Sequence, residues 1–92
     1  RAKEAGAGSN LATLYRYLDS AFEIVEFKAD ADKRVTGIPV KDLKLKKNLI
    51  LAGIISNKTY TVPSGNSVIK ENDYVIVVTT EKGLTSLSGM LE

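Results

Sequence analysis

The sequence predicts an α+β domain: a small, mostly antiparallel β-sheet with short helices, built to dimerise. Three observations predict it. Apolar runs of strand length recur at "AFEIVEFKA", "NLILAGIIS" and "YVIVVTT". Turn-forming residues separate the later runs at short intervals: Asn57-Lys58, Pro63, Gly65-Asn66 and Asn72-Asp73. Helical spacing of leucines is confined to the two ends of the chain. Ninety-two residues close one core but not two. That core is thin, so burial between two copies is a natural supplement.

Ser9 or Asn10 can cap a first helix over "NLATLYRYLDS", where Leu11, Leu14, Tyr15 and Leu18 fall at i, i+3, i+4 and i+7. The small, glycine-bearing residues before it read as linker. In "AFEIVEFKA", Glu23, Val25 and Phe27 share one strand face, and Phe22, Ile24, Glu26 and Lys28 share the other. Apolar groups on both faces predict partial cover on each side. "DADKR" is a polar loop. In "TGIPVKDLKL", Pro39 suits the first position of a short helix. "NLILAGIIS", short and β-branched, reads as a central strand covered on both faces. Asn57-Lys58 makes a two-residue hairpin into "TYTV", and Pro63 stops that strand. Val68 and Ile69 plug the core, and Asn72-Asp73 turns the chain into "YVIVVTT". A weak closing helix is expected over "KGLTSLSGMLE", with Leu84, Leu87 and Leu91 on one stripe.

Composition excludes much chemistry. The chain has no His and no Cys, so Ser-His-Asp, Cys-His and thiolate zinc sites cannot be assembled from it. Glu23 and Glu26 point to opposite strand faces and cannot converge as an acid–base pair. Asp30 and Asp32 lack the glycine and terminal Glu of a calcium loop. "GAGSN" lacks the preceding strand that a phosphate-binding glycine turn requires. An enzyme is not expected, nor is a metal site. No apolar run is long enough to cross a bilayer. The chain opens on Arg1 rather than Met, and so reads as a piece of a longer polypeptide.

Thirteen Lys plus Arg against eleven Asp plus Glu leave a net charge of +2, too weak a balance to demand a polyanion. The aromatic residues do not interleave with the basic ones, which disfavours nucleic acid as a partner. Lys41, Lys44, Lys46 and Lys47 cluster all the same. They form either a solvated helix end, with Leu43 and Leu45 inward, or a phosphate-facing rim beside Asn48. The tyrosines Tyr15, Tyr17, Tyr60 and Tyr74 suit core or interface anchors. Glu23, set among apolar residues, lies either at an exposed strand start or at an interface that supplies hydrogen bonds.

From Ala21 onward the chain resembles the C-terminal ligand-binding domain of TrkA-type regulators of potassium conductance, called RCK_C or TrkA_C. Four pieces carry the likeness in order: "AFEIVEF"; "VTGIPVKDLKL"; the hairpin and strand of "NLILAGIISNKTYTVPSGNSVIKENDYVIVVTT"; and "GLTSLSGMLE". There are departures. Ser56 stands where many members carry Arg, Lys58 falls near the usual hairpin Gly, and Asn66 and Asn72 stand near an Asp and a Gly. Losing the Arg fork weakens the case for an anion read there. The resemblance implies residues 1–20 as linker and connecting helix and residues 21–92 as the regulatory domain. It implies a cytoplasmic protein, peripheral to the inner face of the cell membrane, that assembles on a potassium transporter subunit without inserting. An upstream domain, outside this sequence, would bind NAD or an adenine nucleotide. The C-terminal domains of such proteins pair, and in some members the groove between partners takes cyclic di-AMP. Carried over by motif, the ligand-binding positions are Lys46, Asn48, Leu49 and Pro63.

Overall fold

The computed structural model describes residues 11–17, as backbone, and residues 21–92. The expected linker, its glycine pair and the cap at Ser9 or Asn10 lie outside those residues, as do the side chains of Tyr15 and Tyr17. Five strands form one sheet: β1 (Leu11–Tyr17), β2 (Phe22–Lys28), β3 (Leu49–Ser56), β4 (Thr59–Thr61) and β5 (Tyr74–Thr79). Their order is β1-β2-β5-β3-β4, and every neighbouring pair is antiparallel.

The sheet is as expected, but the helices are not. The stretch read as a first helix is β1, whose backbone pairs with β2 from Leu11↔Phe27 to Tyr17↔Phe22. Its leucines fit a helical stripe, yet Thr13, Tyr15 and Tyr17 also alternate as β-formers do, and the open flank of β2 needs a ladder partner. The closing stretch forms no α-helix either, only a 3-10 turn at Ser88–Met90. Gly83 sits at φ +83°, outside helical geometry, and the buried set is Leu84, Leu87 and Met90 rather than Leu91. Leu91 instead forms a lone antiparallel bridge to Leu45. The short helix after Pro39 is another 3-10 turn, Val40–Asp42, with Pro39 one position before it.

The two faces of the sheet differ. Glu23, Val25 and Phe27 of β2 align with Thr79, Val77 and Val75 of β5, and all six are buried. Leu49 and Ile54 of β3 join this core, together with Val35, Leu43, Ile69, Leu84, Leu87 and Met90 from the connections. Ile69 is fully buried, whereas its neighbour Val68 is half-buried and bridges Pro39. On the opposite face, Phe22, Ile24, Ile55, Tyr74, Ile76 and Val78 are only half-buried. β3 is therefore not covered on both sides: Ile50 remains 66% exposed.

Residues 49 and 54 are an odd number of positions apart, so a regular strand would place them on opposite faces. A β-bulge resolves this. Leu51 pairs with Val77 and Gly53 with Ile76, leaving Ala52 as the extra residue. The hairpin forms as expected, with Asn57 and Lys58 at φ 51° and 68° and Ser56 opposite Thr59. Asn72 turns at φ 75°, and its amide donates to Ala29 O while Ala29 N donates to Asp73 O, tying the turn to the end of β2.

Candidate functional site

Three of the four expected ligand-binding residues lie at the entry to β3. The Asn48 carbonyl accepts hydrogen bonds from Thr80 N (3.1 Å) and Thr79 Oγ1 (3.2 Å), which fixes the start of β3 against the end of β5. The Asn48 side chain is exposed, while Leu49 is 8% exposed and belongs to the core. Leu49 thus offers its backbone, not its side chain, to a visitor on the outer surface. Pro63 is half-buried and follows Thr61, the last residue of β4, which pairs with Ile54.

Lys46 is anchored at both ends. Its amide donates to Met90 O (2.8 Å), and its ammonium lies 2.9 and 3.2 Å from the two Glu81 carboxylate oxygens. Glu81 reaches that place because the chain leaving β5 at Thr79 is tied to the residue before β3, with Thr80 N donating to Asn48 O. The Glu81 amide donates to Thr79 Oγ1 at 3.0 Å, which closes the turn. Lys41, Lys44 and Lys47 are exposed, so the cluster is a solvated rim with one member committed to an ion pair. Leu43 and Leu45 face inward beneath it, buried and half-buried respectively.

Sequence reading missed the apolar surroundings of these residues. β4 pairs with β3 only from Ile54 to Ser56, so on that edge, opposite β5, Leu49 to Gly53 have no strand beside them among the described residues. Ile50, Tyr60 and Val62 are the large apolar side chains most exposed among the described residues, at 66%, 55% and 70%. Ile50 directly follows Leu49, and Val62 directly precedes Pro63. The Tyr60 ring lies over Gly53, and its hydroxyl donates to Ala52 O at 3.0 Å, capping the carbonyl of the bulged residue. A glycine inside a strand is the local signal of such a close approach. Glu81, by contrast, lies 35 residues from Lys46 and leaves no local trace.

Neither of two open depressions elsewhere on the surface, of about 190 and 260 Å³, is lined by any of the four residues. The loop of Asp30 and Asp32 is held by its own contacts. Arg34 Nη2 and Nε lie 2.8 and 3.0 Å from the Asp32 carboxylate, and Asp30 Oδ1 accepts from Asp32 N. The Arg34 side-chain hydrogen bond, and after it the bond from the Arg34 amide, hold the Asp32 carboxyl below its usual pKa. No group of three or more potential metal ligands occurs among the described residues.

The family model described as the TrkA-C domain matches residues 24–91, which is most of the chain and runs from the third residue of β2 through β3, β4 and β5. The chain belongs to the TrkA_C family. Relatives agree. It is 32% identical over 71 residues to a Trk system potassium uptake protein TrkA homolog of Pyrococcus horikoshii, covering 76% of this chain and 31% of that protein. It is 30% identical over 71 residues to the corresponding protein of Pyrococcus abyssi, with the same coverage of 76% and 31%. TrkA homolog 2 of Methanosarcina mazei is 28% identical over 68 residues, 74% of this chain and 15% of that protein. This TrkA_C chain therefore spans less than a third of each relative's length. No described helix is long and apolar enough to cross a membrane.

Proposed function

We propose that this TrkA_C domain is the regulatory, ligand-binding and dimerising module of a Trk-type potassium uptake system, and not an enzyme. The observation that carries the reading is a coincidence of place. The exposed apolar side chains Ile50, Tyr60 and Val62 are interleaved in sequence with Asn48, Leu49 and Pro63, to which the family likeness assigns the ligand. Exposed apolar groups beside an open strand flank favour a partner, and a second copy across a two-fold axis covers both at once. The groove would then lie between copies, with the Asn48 side chain, the Leu49 backbone, Lys46 and Pro63 as its wall. Cyclic di-AMP fits such a wall, since its phosphates need a cation and its bases need apolar and proline surfaces. NAD or an adenine nucleotide would bind only in an upstream domain.

A ligand in this groove acts by preferring one arrangement of the dimer, because one that binds both arrangements equally shifts neither. The names of the relatives support a potassium transporter subunit as the membrane partner, with this module cytoplasmic and peripheral to the inner face. A second reading is a ligand-free dimerisation domain of the same assembly. It is favoured by the Lys46–Glu81 ion pair, which already occupies the cation of the rim, and by Ser56 at the position where many members carry Arg.

Sedimentation and calorimetry test the proposal together. The expected outcome is a dimer that binds cyclic di-AMP between copies, with Ile50→Glu dissociating it and Asn48→Ala weakening the ligand alone. A well-folded monomer at high concentration, with or without the ligand, would overturn the dimer and the groove together. A dimer that takes up no ligand leaves the second reading.

A further inference from the structure

Lys46 is not a cation waiting for a ligand. Its ammonium rests on the Glu81 carboxylate at 2.9 Å, and both side chains keep about a third of their surface open, 32% and 31%. The carboxylate is held there by backbone. Leu49 pairs with Thr79, Thr80 N donates to Asn48 O, and Glu81 N donates to the buried Thr79 hydroxyl. Glu81 therefore sits on the Lys46 face of the rim as a built-in oxyanion. Both its oxygens lie within hydrogen-bonding distance of the ammonium that a ligand phosphate would seek.

We propose that Glu81 is an internal competitor of the ligand phosphate and a determinant of this site's affinity. The inference rests on the reading above, which places the ligand at Lys46. Without ligand, the carboxylate satisfies the ammonium. A phosphodiester binds by taking Lys46 from Glu81, exchanging one singly charged oxyanion partner for another. The exchange is close to balanced in charge, so Lys46 contributes little net attraction as long as it must be taken from Glu81. The displaced carboxylate is also left beside a like charge, which opposes the ligand further. Removing the carboxylate charge lifts both handicaps. Because the pair is partly open to solvent, its loss changes folding stability little, and the effect appears in binding instead.

The test is calorimetric titration of the dimeric protein with cyclic di-AMP, using wild type, Glu81→Gln, Lys46→Ala and the double variant. Glu81→Gln should bind about two- to fivefold tighter than wild type, the range expected for freeing a partly exposed cation. Its melting temperature should stay near wild type. The gain should vanish in the Lys46→Ala background. Binding by Glu81→Gln that equals wild type or is weaker overturns the inference and leaves the ligand reading standing. A gain that persists without Lys46 overturns it as well. No heat from any of the four proteins overturns the ligand reading, and the inference with it.

Discussion

Gly53→Ala isolates the contact that shapes the open flank of β3. The backbone of Gly53 is not in the left-handed region, so alanine suits its conformation, and only the ring above it forbids a side chain. A Cβ there would overlap Tyr60 Cε1 and stand 3.0 Å from both Cζ and the hydroxyl oxygen. The ring is 55% exposed and can swing away rather than force the strand apart. What is lost is the 3.0 Å hydrogen bond to Ala52 O and the packing of the ring on the strand. A hydrogen bond contributes about 0.5–1.5 kcal/mol, and the partly buried ring adds a fraction of its burial energy. The expected destabilisation is about 1–2 kcal/mol, a fall of about 5–15 °C in melting temperature for a domain of this size. Thermal unfolding followed by circular dichroism reads it directly. The decisive arm is the double variant. With Tyr60→Ala already present, Gly53→Ala should cost almost nothing or stabilise slightly, since alanine restricts the unfolded chain. An equal cost in both backgrounds would refute the account.

Lys58→Gly should stabilise the domain by about 0.5–1 kcal/mol, because Lys58 holds φ 68° in a hairpin turn that glycine occupies without strain. Urea unfolding that shows a lower midpoint for this variant would contradict that assignment. The Asp32–Arg34 pair predicts an acid limb. The Asp32 pKa is lowered from 3.8 in the folded state, so its stabilising contribution is present above about pH 4 and lost as pH falls through the lowered value. Asp32→Asn should flatten that part of the stability–pH curve, and an unchanged acid limb would remove the pair as its source.

The parts of the fold that were legible are those where one local rule acts unopposed. The alternation of Glu23, Val25 and Phe27 sorted β2 into its two faces, but the partial cover expected on each is found on only one, since the Glu23 face is wholly buried. Asn57-Lys58 marked the hairpin because few residues adopt left-handed geometry in tandem, and asparagine leads among the non-glycines. Where two periodicities coexist, the sequence alone was ambiguous. Leu11, Leu14, Tyr15 and Leu18 satisfy a helix, while Thr13, Tyr15 and Tyr17 satisfy a strand, and β2 decides between them only once it is in place. Leucines at 84, 87 and 91 suggested a helix, but glycine at φ +83° and a serine-rich stretch leave local propensity too weak. Docking then selects a period of three, burying Leu84, Leu87 and Met90.

Candidate-site residues were legible singly, and their relations were not. Lys46 and Asn48 stand out as a basic residue and a polar residue before an apolar strand, but whether Lys46 is available to an anion depends on Glu81, which arrives only because β5 lies beside β3. The same pairing brings Thr79 under Asn48 and so fixes the rim as a unit. A basic cluster read from sequence therefore overstates the charge that the rim can offer. Lys41, Lys44 and Lys47 are solvated and attract a phosphate only at long range, where salt screens them. Lys46, the cation the proposed ligand would contact, already holds an oxyanion. If the proposed ligand binds at this rim, its selectivity would come from what the carboxylate cannot imitate: a molecule long enough to meet Lys46 and also reach the apolar groups Ile50, Val62 and Pro63. A bare inorganic phosphate would have to compete with Glu81 on charge alone, and should lose.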